Sequence, residues 1–153
     1  MRKVMIAVAV AVLAVGTTFA AETVQQAEVM VIVRLCNDAF NKGDVKAAMA
    51  FATDEMSIID EIPPYEWHGP GAFAKWFADY GVNAKKEGIT DGVVTIGKKK
   101  HVNISGDRAY AVVNATYTWK QNGKPQKETA SWTFSLVKTK DGWRITGWAW
   151  SKS

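Results

Sequence analysis

The second half of the chain is a series of β-rich runs separated by turn dipeptides, and this pattern constrains the fold more than any other feature of the sequence. The runs, rich in β-branched and aromatic residues, cover residues 93–104, 108–120, 128–138 and 143–151. The dipeptides between them are Gly106-Asp107, Asn122-Gly123 and Asp141-Gly142. Asn-Gly and Asp-Gly favour tight hairpin turns. We therefore predict that these runs form an antiparallel meander.

The Asn122-Gly123 turn also predicts which side chains face the interior. A two-residue loop sets Trp119 opposite Gln126, Tyr117 opposite Glu128 and Val113 opposite Trp132. One face then carries Ala111, Val113, Ala115, Tyr117 and Trp119 against Ala130, Trp132, Phe134 and Leu136. The opposite face carries small polar side chains, which suit water or a second subunit. A homodimer through this outer face of the sheet is the expected assembly.

The residues before the meander predict three helices and one further strand. The predicted helices run from Val24 to Asn41, from Val45 to Ala52 and from Gly69-Pro70 to about Lys86, and the strand runs from Met56 to Ile62. On the first helix a wide apolar stripe is predicted, with Ala27, Val31, Leu35 and Ala39 at its centre and Val29, Ile32, Cys36 and Phe40 beside them. We therefore predict an α+β domain in which a strongly curved antiparallel sheet wraps around three N-terminal helices.

Alternation along the strand from Met56 to Ile62 singles out one carboxylate. Met56, Ile58 and Asp60 share a face, so Asp60 points where the apolar residues point. An apolar setting disfavours the charged form of a carboxylate and raises its pKa, as a general base near neutral pH requires. The alternative is an aspartate that only hydrogen-bonds the turn at the end of the strand.

The order of these elements and the segment from Asp54 to Gly69 resemble the nuclear transport factor 2-like superfamily, which includes SnoaL-like polyketide cyclases and ketosteroid isomerases. Asp60 stands six residues after Asp54 and eight before His68, which matches the surroundings of the catalytic aspartate in the steroid isomerases. The resemblance covers almost all of the chain after residue 20, including Trp150-Ser151. It implies a cone-shaped pocket, no cofactor, and Asp60 as general base.

Two departures from the steroid isomerases restrict the expected chemistry. Those enzymes stabilise the developing enolate with a tyrosine and a protonated aspartate. The corresponding positions here are Cys36 and, within one residue, Phe134. Because loss of one such donor costs on the order of 10² to 10³ in rate, steroid isomerisation itself is not expected.

The expected site residues come from four parts of the chain. Asp60 and His68 are the expected catalytic residues. Because His68 precedes the third helix, the dipole favours a neutral imidazole; the alternative is a structural histidine at the rim of the pocket. The expected ligand-binding residues are aromatic: Tyr65, Trp67, Trp76, Tyr80, Trp132, Phe134 and Trp150. Trp150 has an alternative role as a core or subunit contact.

Several classes of function have little support in the sequence. His68 and His101 show no metal-ligand spacing, so no metal site is expected. The lone Cys36 excludes an intrachain disulfide and is expected to be a small core residue. The basic cluster from Lys98 to His101 is short and lies in a predicted strand, so a nucleic-acid partner is not expected.

Residues 1–20 have the order of parts typical of a cleavable secretion signal. Arg2 and Lys3 precede an apolar run from Val4 to Val15, and small residues end at Ala20. The run is too short for a stable membrane anchor. We predict a periplasmic or secreted domain from residue 21 to residue 153. Removal of the two basic residues leaves 17 basic and 15 acidic residues, a net charge of +2.

Two functional hypotheses follow for this domain. The first is a cofactor-independent isomerase, cyclase or hydratase that uses Asp60 on a small, mostly apolar substrate. The second is a non-catalytic module that binds a small ligand or dimerises. The sequence does not choose between them, because many functions share this scaffold.

Overall fold

The computed structural model describes residues 15–153, with side chains from residue 24 onward. Residues 1–14, most of the predicted secretion signal, lie outside the described residues, and the export of the protein stays a prediction. In the described part, three helices and six strands follow one another as α1 (Val15–Asn41), α2 (Val45–Met49), β1 (Ala52–Ile59), β2 (Glu66–Pro70), α3 (Ala72–Glu87), β3 (Ile89–Ser105), β4 (Arg108–Gln121), β5 (Lys124–Thr139) and β6 (Gly142–Lys152).

The strands form one sheet in the order β2-β1-β6-β5-β4-β3. The predicted meander is confirmed, since β3, β4, β5 and β6 pair in succession and antiparallel. The prediction of a wholly antiparallel sheet is wrong, because β1 pairs with β6 in parallel. The reason is topological: α3 carries the chain from the β1–β2 edge to the far edge, and the meander returns to β1 in the same direction as that strand.

The predicted side-chain register about Asn122-Gly123 is confirmed. Trp119 pairs with Gln126, Tyr117 with Glu128, and Val113 with Trp132. The boundaries in the first half of the chain differ more from prediction. The second helix ends at Met49 and the first strand covers Ala52–Ile59. Glu66–Pro70 form strand β2, which was not predicted, and α3 begins at Ala72 instead of Gly69-Pro70.

Helix α1 packs on the concave side of the sheet through one edge of the predicted wide stripe and through Val33, which that stripe did not include. It buries Val29, Val33 and Cys36, whereas Val31 and Leu35 are 52% and 42% exposed. The helix carries apolar residues around much of its circumference, so periodicity alone could not identify the packed side. Burial raises the pKa of the Cys36 thiol to about 12. Cys36 is therefore a buried core residue whose thiol stays protonated near neutral pH.

Polar side chains of α1 fix the helix against the edge strand β3. The amides of Asn37 and Asn41 donate to the carbonyl oxygen of Val94 at 3.0 and 2.8 Å. The backbone N–H of Val94 donates to Asn41 Oδ1 at 2.9 Å. These bonds satisfy the backbone N–H and carbonyl groups of Val94, which lies next to a register shift between Thr90 and Val93. They also place Phe40, one residue before Asn41, beside the aromatic residues of α3.

The contact between β1 and β6 requires a glycine. Gly147 pairs with Ser57, and a Cβ added at Gly147 would collide with the backbone carbonyl oxygen of Ser57. This close approach joins the β1–β2 edge to the meander and places the end of β1 beside the last strand. No helix in the described part of the chain is long and apolar enough to cross a membrane.

Candidate functional site

A cavity of about 270 Å³ lies between the helices and the concave side of the sheet. Its walls are mainly aromatic, formed by Phe40, Trp76, Tyr80, Tyr117, Trp119, Trp132 and Trp150. Its charged lining residues are Asp60, Glu61, Glu128 and Lys152. An apolar cavity with a few convergent polar groups is the usual form of a small-molecule site.

Asp60 lies directly after β1, whose alternation brings its side chain to the cavity. Met56 and Ile58 are buried, whereas Ser57 and Ile59 are exposed, and Asp60 continues the buried series. The turn that follows is closed by the backbone N–H of Asp60, which donates to the carbonyl oxygen of Tyr65 at 3.1 Å. The strand therefore delivers the carboxylate to the cavity, and the turn fixes its backbone.

Each oxygen of the Asp60 carboxylate accepts one hydrogen bond. Trp76 Nε1 donates to Oδ2 at 2.9 Å, and the backbone N–H of Glu61 donates to Oδ1 at 2.7 Å. Burial, with a smaller contribution from the charge of Glu128, raises the pKa of Asp60, and hydrogen bonding from Glu61, Trp76 and the backbone of Ile62 opposes the rise. A carboxylate oxygen can accept more than one bond, so both oxygens keep lone pairs for a ligand. Asp60 therefore lines the cavity, as predicted, and also hydrogen-bonds the turn through the backbone N–H of Glu61, as the alternative of a turn-bonding aspartate requires.

Two further acidic residues, Glu61 and Glu128, lie around Lys152 at the end of β6. Lys152 Nζ lies 2.6 Å from Glu128 Oε2 and 3.9 Å from Glu61 Oε2. Trp150 Nε1 donates to Glu128 Oε1 at 2.8 Å, so both oxygens of this buried carboxylate are bonded. Burial, followed by the neighbouring charge of Glu128, raises the pKa of Glu61 to about 7. Glu61 therefore changes charge near neutral pH.

Two tyrosine hydroxyls form the main neutral polar group of the cavity. Tyr80 Oη and Tyr117 Oη are 2.6 Å apart, and one hydroxyl donates to the other. Burial raises the pKa of both residues, which keeps the hydroxyls protonated. Because only one of the two protons is used within the pair, the other hydroxyl can donate to a ligand.

The structure brings five of the nine predicted site residues to this cavity. They are Asp60, Trp76, Tyr80, Trp132 and Trp150. Of the others, Phe134 lies in the core behind Trp132, with ring centroids 4.6 Å apart, and is 2% exposed. Trp67 is buried on β2 and donates to Asp79 Oδ2 at 2.8 Å, and Tyr65 is 58% exposed.

His68 lies on the pairing of β2 with β1, away from the cavity lining. Its ring nitrogens lie 3.2 Å from Ser57 Oγ and 3.2 Å from Glu66 Oε2, and 53% of its side chain is exposed. Because residues 66–70 form a strand that pairs with β1, the His68 side chain points with that of Ser57 to the outer surface. His68 and Asp60 are therefore not brought together.

Glu61, Glu128, Lys152, Tyr117 and Trp119 line the cavity but were not among the predicted site residues. For Glu128 a signal was present, since the correct register set it opposite Tyr117 on the inner face of the sheet. Glu61 had no such signal. Alternation along the predicted strand placed Glu61 on the face of the strand away from Asp60. However, β1 ends at Ile59, so the alternation does not extend to Glu61.

The fold and the site define a class of protein: a small α+β domain whose helices and curved, open sheet enclose an aromatic cavity with an acidic residue at the end of its first strand. The family model of the SnoaL-like domain matches residues 29–152. The chain therefore belongs to the SnoaL-like domain family, and the predicted relation to the nuclear transport factor 2-like superfamily is confirmed. A comparison with curated protein sequences gave no match.

Solved structures with the same fold carry different descriptions. A nuclear transport factor 2-like superfamily protein from Salmonella enterica has 17% identity and a TM-score of 0.71, over 85% of this chain and 92% of that chain. A ketosteroid isomerase-like protein from Erwinia carotovora has 22% identity and a TM-score of 0.65, over 84% and 95%. The CaMKII hub of S. rosetta has 18% identity and a TM-score of 0.66, over 84% and 96%. At these identities the likeness shows the fold alone.

Proposed function

We propose that this SnoaL-like domain is a cofactor-independent acid–base catalyst, of the isomerase, cyclase or hydratase kind, in which Asp60 is the general base. The observation that carries the proposal is the Asp60 carboxylate, which lines an aromatic cavity where burial raises its pKa. A raised pKa brings a carboxylate closer to the proton affinity that general-base catalysis needs near neutral pH.

The proposed step is removal of a proton from a carbon next to a carbonyl group. Asp60 takes the proton and becomes a neutral acid, while the C–H electrons move to form an enolate. The Tyr80–Tyr117 pair supplies a neutral hydroxyl donor for the enolate oxygen. Asp60 then returns the proton to another atom of the substrate, so the cycle needs no other reactant.

This arrangement replaces the donors that the steroid isomerases place elsewhere. The resemblance sets Cys36 and, within one residue, Phe134 at the corresponding positions, and both are buried side chains without a strong hydroxyl or carboxyl donor. The tyrosine pair comes from α3 and β4 instead. A volume of about 270 Å³ lies just below the usual range of about 300 to 1,000 Å³, which favours a substrate with one or two small rings.

The experiment is a proton-exchange assay on small cyclic ketones in D₂O, with deuterium incorporation next to the carbonyl followed by NMR. We expect the protein to accelerate exchange of at least one ketone of the panel. Asp60→Asn keeps the size of the side chain but removes the base, so it should slow this exchange by about 10² to 10⁴-fold. Tyr80→Phe tests the donor and should slow it less.

The matched control is Asp54→Asn. Asp54 is an exposed aspartate on the same strand, outside the cavity, and its replacement should leave the exchange rate unchanged. Wild-type exchange that survives in Asp60→Asn would contradict the role of Asp60. A protein that binds the ketones but exchanges none of them would contradict acid–base catalysis and favour the second candidate.

The second candidate is a non-catalytic module that binds a small ligand or forms a homodimer. One observation favours it: donors of the chain itself already bond both oxygens of Asp60, as in a structural carboxylate. The outer sheet face, with Thr116, Thr118, Thr129 and Ser131, is the expected dimer surface. Light scattering of Thr118→Lys beside wild type tests the assembly, because a lysine in a close interface would dissociate a dimer.

A further inference from the structure

We propose that the ligand of the cavity is a small organic cation, with an ammonium group beside Glu61 and an apolar body between the aromatic walls. The inference rests on the proposed function only in using the same cavity. It names the class of ligand and requires no reaction. Three features of the described residues support it: the charge of the lining, the weakly paired carboxylate of Glu61 and the aromatic rings.

The charge of the lining is unbalanced. Among the described residues that line the cavity, three are acidic, Asp60, Glu61 and Glu128, and one is basic, Lys152. Lys152 forms its short contact, 2.6 Å, with Glu128, so this pair neutralises itself. Asp60 and Glu61 remain as adjacent carboxylates whose nearest basic group, Lys152, lies 3.9 Å from Glu61 Oε2 and is already paired with Glu128. An anionic ligand would be repelled, and a cation would be attracted.

Of the three carboxylates, that of Glu61 makes the weakest contacts with other groups of the chain. Glu128 is bonded through both oxygens, and Asp60 accepts one hydrogen bond on each oxygen. The ion-pair contact of Glu61 is 3.9 Å long, beyond hydrogen-bond distance, and 40% of its side chain is exposed. Glu61 therefore lies where a ligand entering from solvent can reach it, and an ammonium group there would relieve the repulsion from Glu128.

The aromatic walls offer the second attraction that a cation needs. Trp132 and Trp150 meet edge to face, with ring centroids 5.4 Å apart and an interplanar angle of 73°. Tyr117 and Trp119 stack at 4.6 Å and 18°. These four rings line the cavity, and the faces of aromatic rings attract organic cations. A neutral ligand of the same shape would gain only the apolar contact.

The test compares ligands of one shape and different charge. Phenyltrimethylammonium and tert-butylbenzene differ only in the nitrogen that carries the charge, and benzoate serves as the anion. Binding is measured by calorimetry and by tryptophan fluorescence at about pH 9, where the carboxylates are ionised. We expect the cation to bind at least about tenfold more tightly than tert-butylbenzene, and benzoate to bind more weakly than either.

Charge variants test the position of the ammonium group. Glu61→Gln should weaken binding of the cation by about tenfold and leave tert-butylbenzene unchanged. Lys152→Gln removes the competing positive charge and should tighten it. Glu55→Gln, an exposed glutamate outside the cavity, is the control and should change neither.

Equal affinity of wild type for the cation and its neutral isostere would overturn the proposal, and so would a cation preference that Glu61→Gln leaves intact. These outcomes are separable from those of the exchange assay. Loss of exchange in Asp60→Asn without any cation preference would contradict the ligand class alone. A cation preference without exchange would contradict the catalytic proposal alone.

Discussion

Glu61 gives the folded protein a dependence of stability on pH that follows from its surroundings. Burial and Glu128 raise its pKa from an ordinary 4.5 to about 7 in the folded state. The folded state therefore holds this proton more tightly than the unfolded state, and the associated stability is complete below pH 4.5 and lost as the pH rises through about 7. Stability should fall across this window.

The size of the effect follows from the two pKa values. The full difference would correspond to about 3 kcal/mol, but 40% of the Glu61 side chain is exposed, and solvent screening reduces the effect to about 1 to 2 kcal/mol. Glu61→Gln removes the titrating group and keeps its size. Relative to this variant, wild type should lose about 1 to 2 kcal/mol of unfolding free energy between pH 5 and pH 8.

Urea unfolding at the two pH values measures this difference, because subtraction of the variant removes the contributions of the titrating groups that do not interact with Glu61. Glu128→Gln provides the second measurement. It removes the charge that faces Glu61, so an NMR titration of the Glu61 carboxyl should show its pKa moving toward 4.5. Parallel pH dependences of wild type and Glu61→Gln would refute the argument, as would a Glu61 pKa that Glu128→Gln does not lower.

Two further predictions concern the support of Asp60. Trp76→Phe keeps an aromatic ring next to Tyr80 but removes the hydrogen bond to Asp60 Oδ2; the pKa of Asp60 should rise further in an NMR titration, and urea unfolding should show a loss of about 1.5 to 3 kcal/mol. An unchanged pKa would contradict the bond. Gly147→Ala should lower the unfolding free energy by about 1 to 3 kcal/mol, because its Cβ meets the carbonyl oxygen of Ser57. Gly81→Ala, on α3 with open space around it, is the control and should not be destabilising.

The meander was predictable because local sequence determines it. The Asn122-Gly123 turn sets the register, and the register sets which side chains face inward, so the positions of Trp132 and Glu128 follow from nearby residues alone. Asp60 was reached in the same way, from alternation along β1. The family resemblance supplied the order of the other elements. The parallel pairing of β1 with β6 was missed, because no local signal joins these two strands.

The parts that were missed depend on contacts between distant segments. Strand β2 exists because Trp67 pairs with Ile58, and neither residue alone predicts the partner. This pairing sends His68 to the outer surface. On α1 the sheet selects Val33 over Val31 for burial, although both suit an apolar helix face. Which residues pair or become buried at these positions depends on the segment that packs against them, and the local sequence does not contain that segment.

Asp60 and Glu61 follow one another in the chain, yet the fold gives them different surroundings. Asp60 is bonded by Trp76 of α3, whereas Glu61 is influenced by Glu128 of β5 and Lys152 of β6. Neighbouring carboxylates whose environments separate their proton affinities are the usual basis for a division of roles. The end of β1 at Ile59 makes this possible, because continued alternation would have turned Glu61 away. The turn after β1 thus presents two carboxylates to the same cavity: Asp60, which is held by hydrogen bonds, and Glu61, whose contact with Lys152 is long.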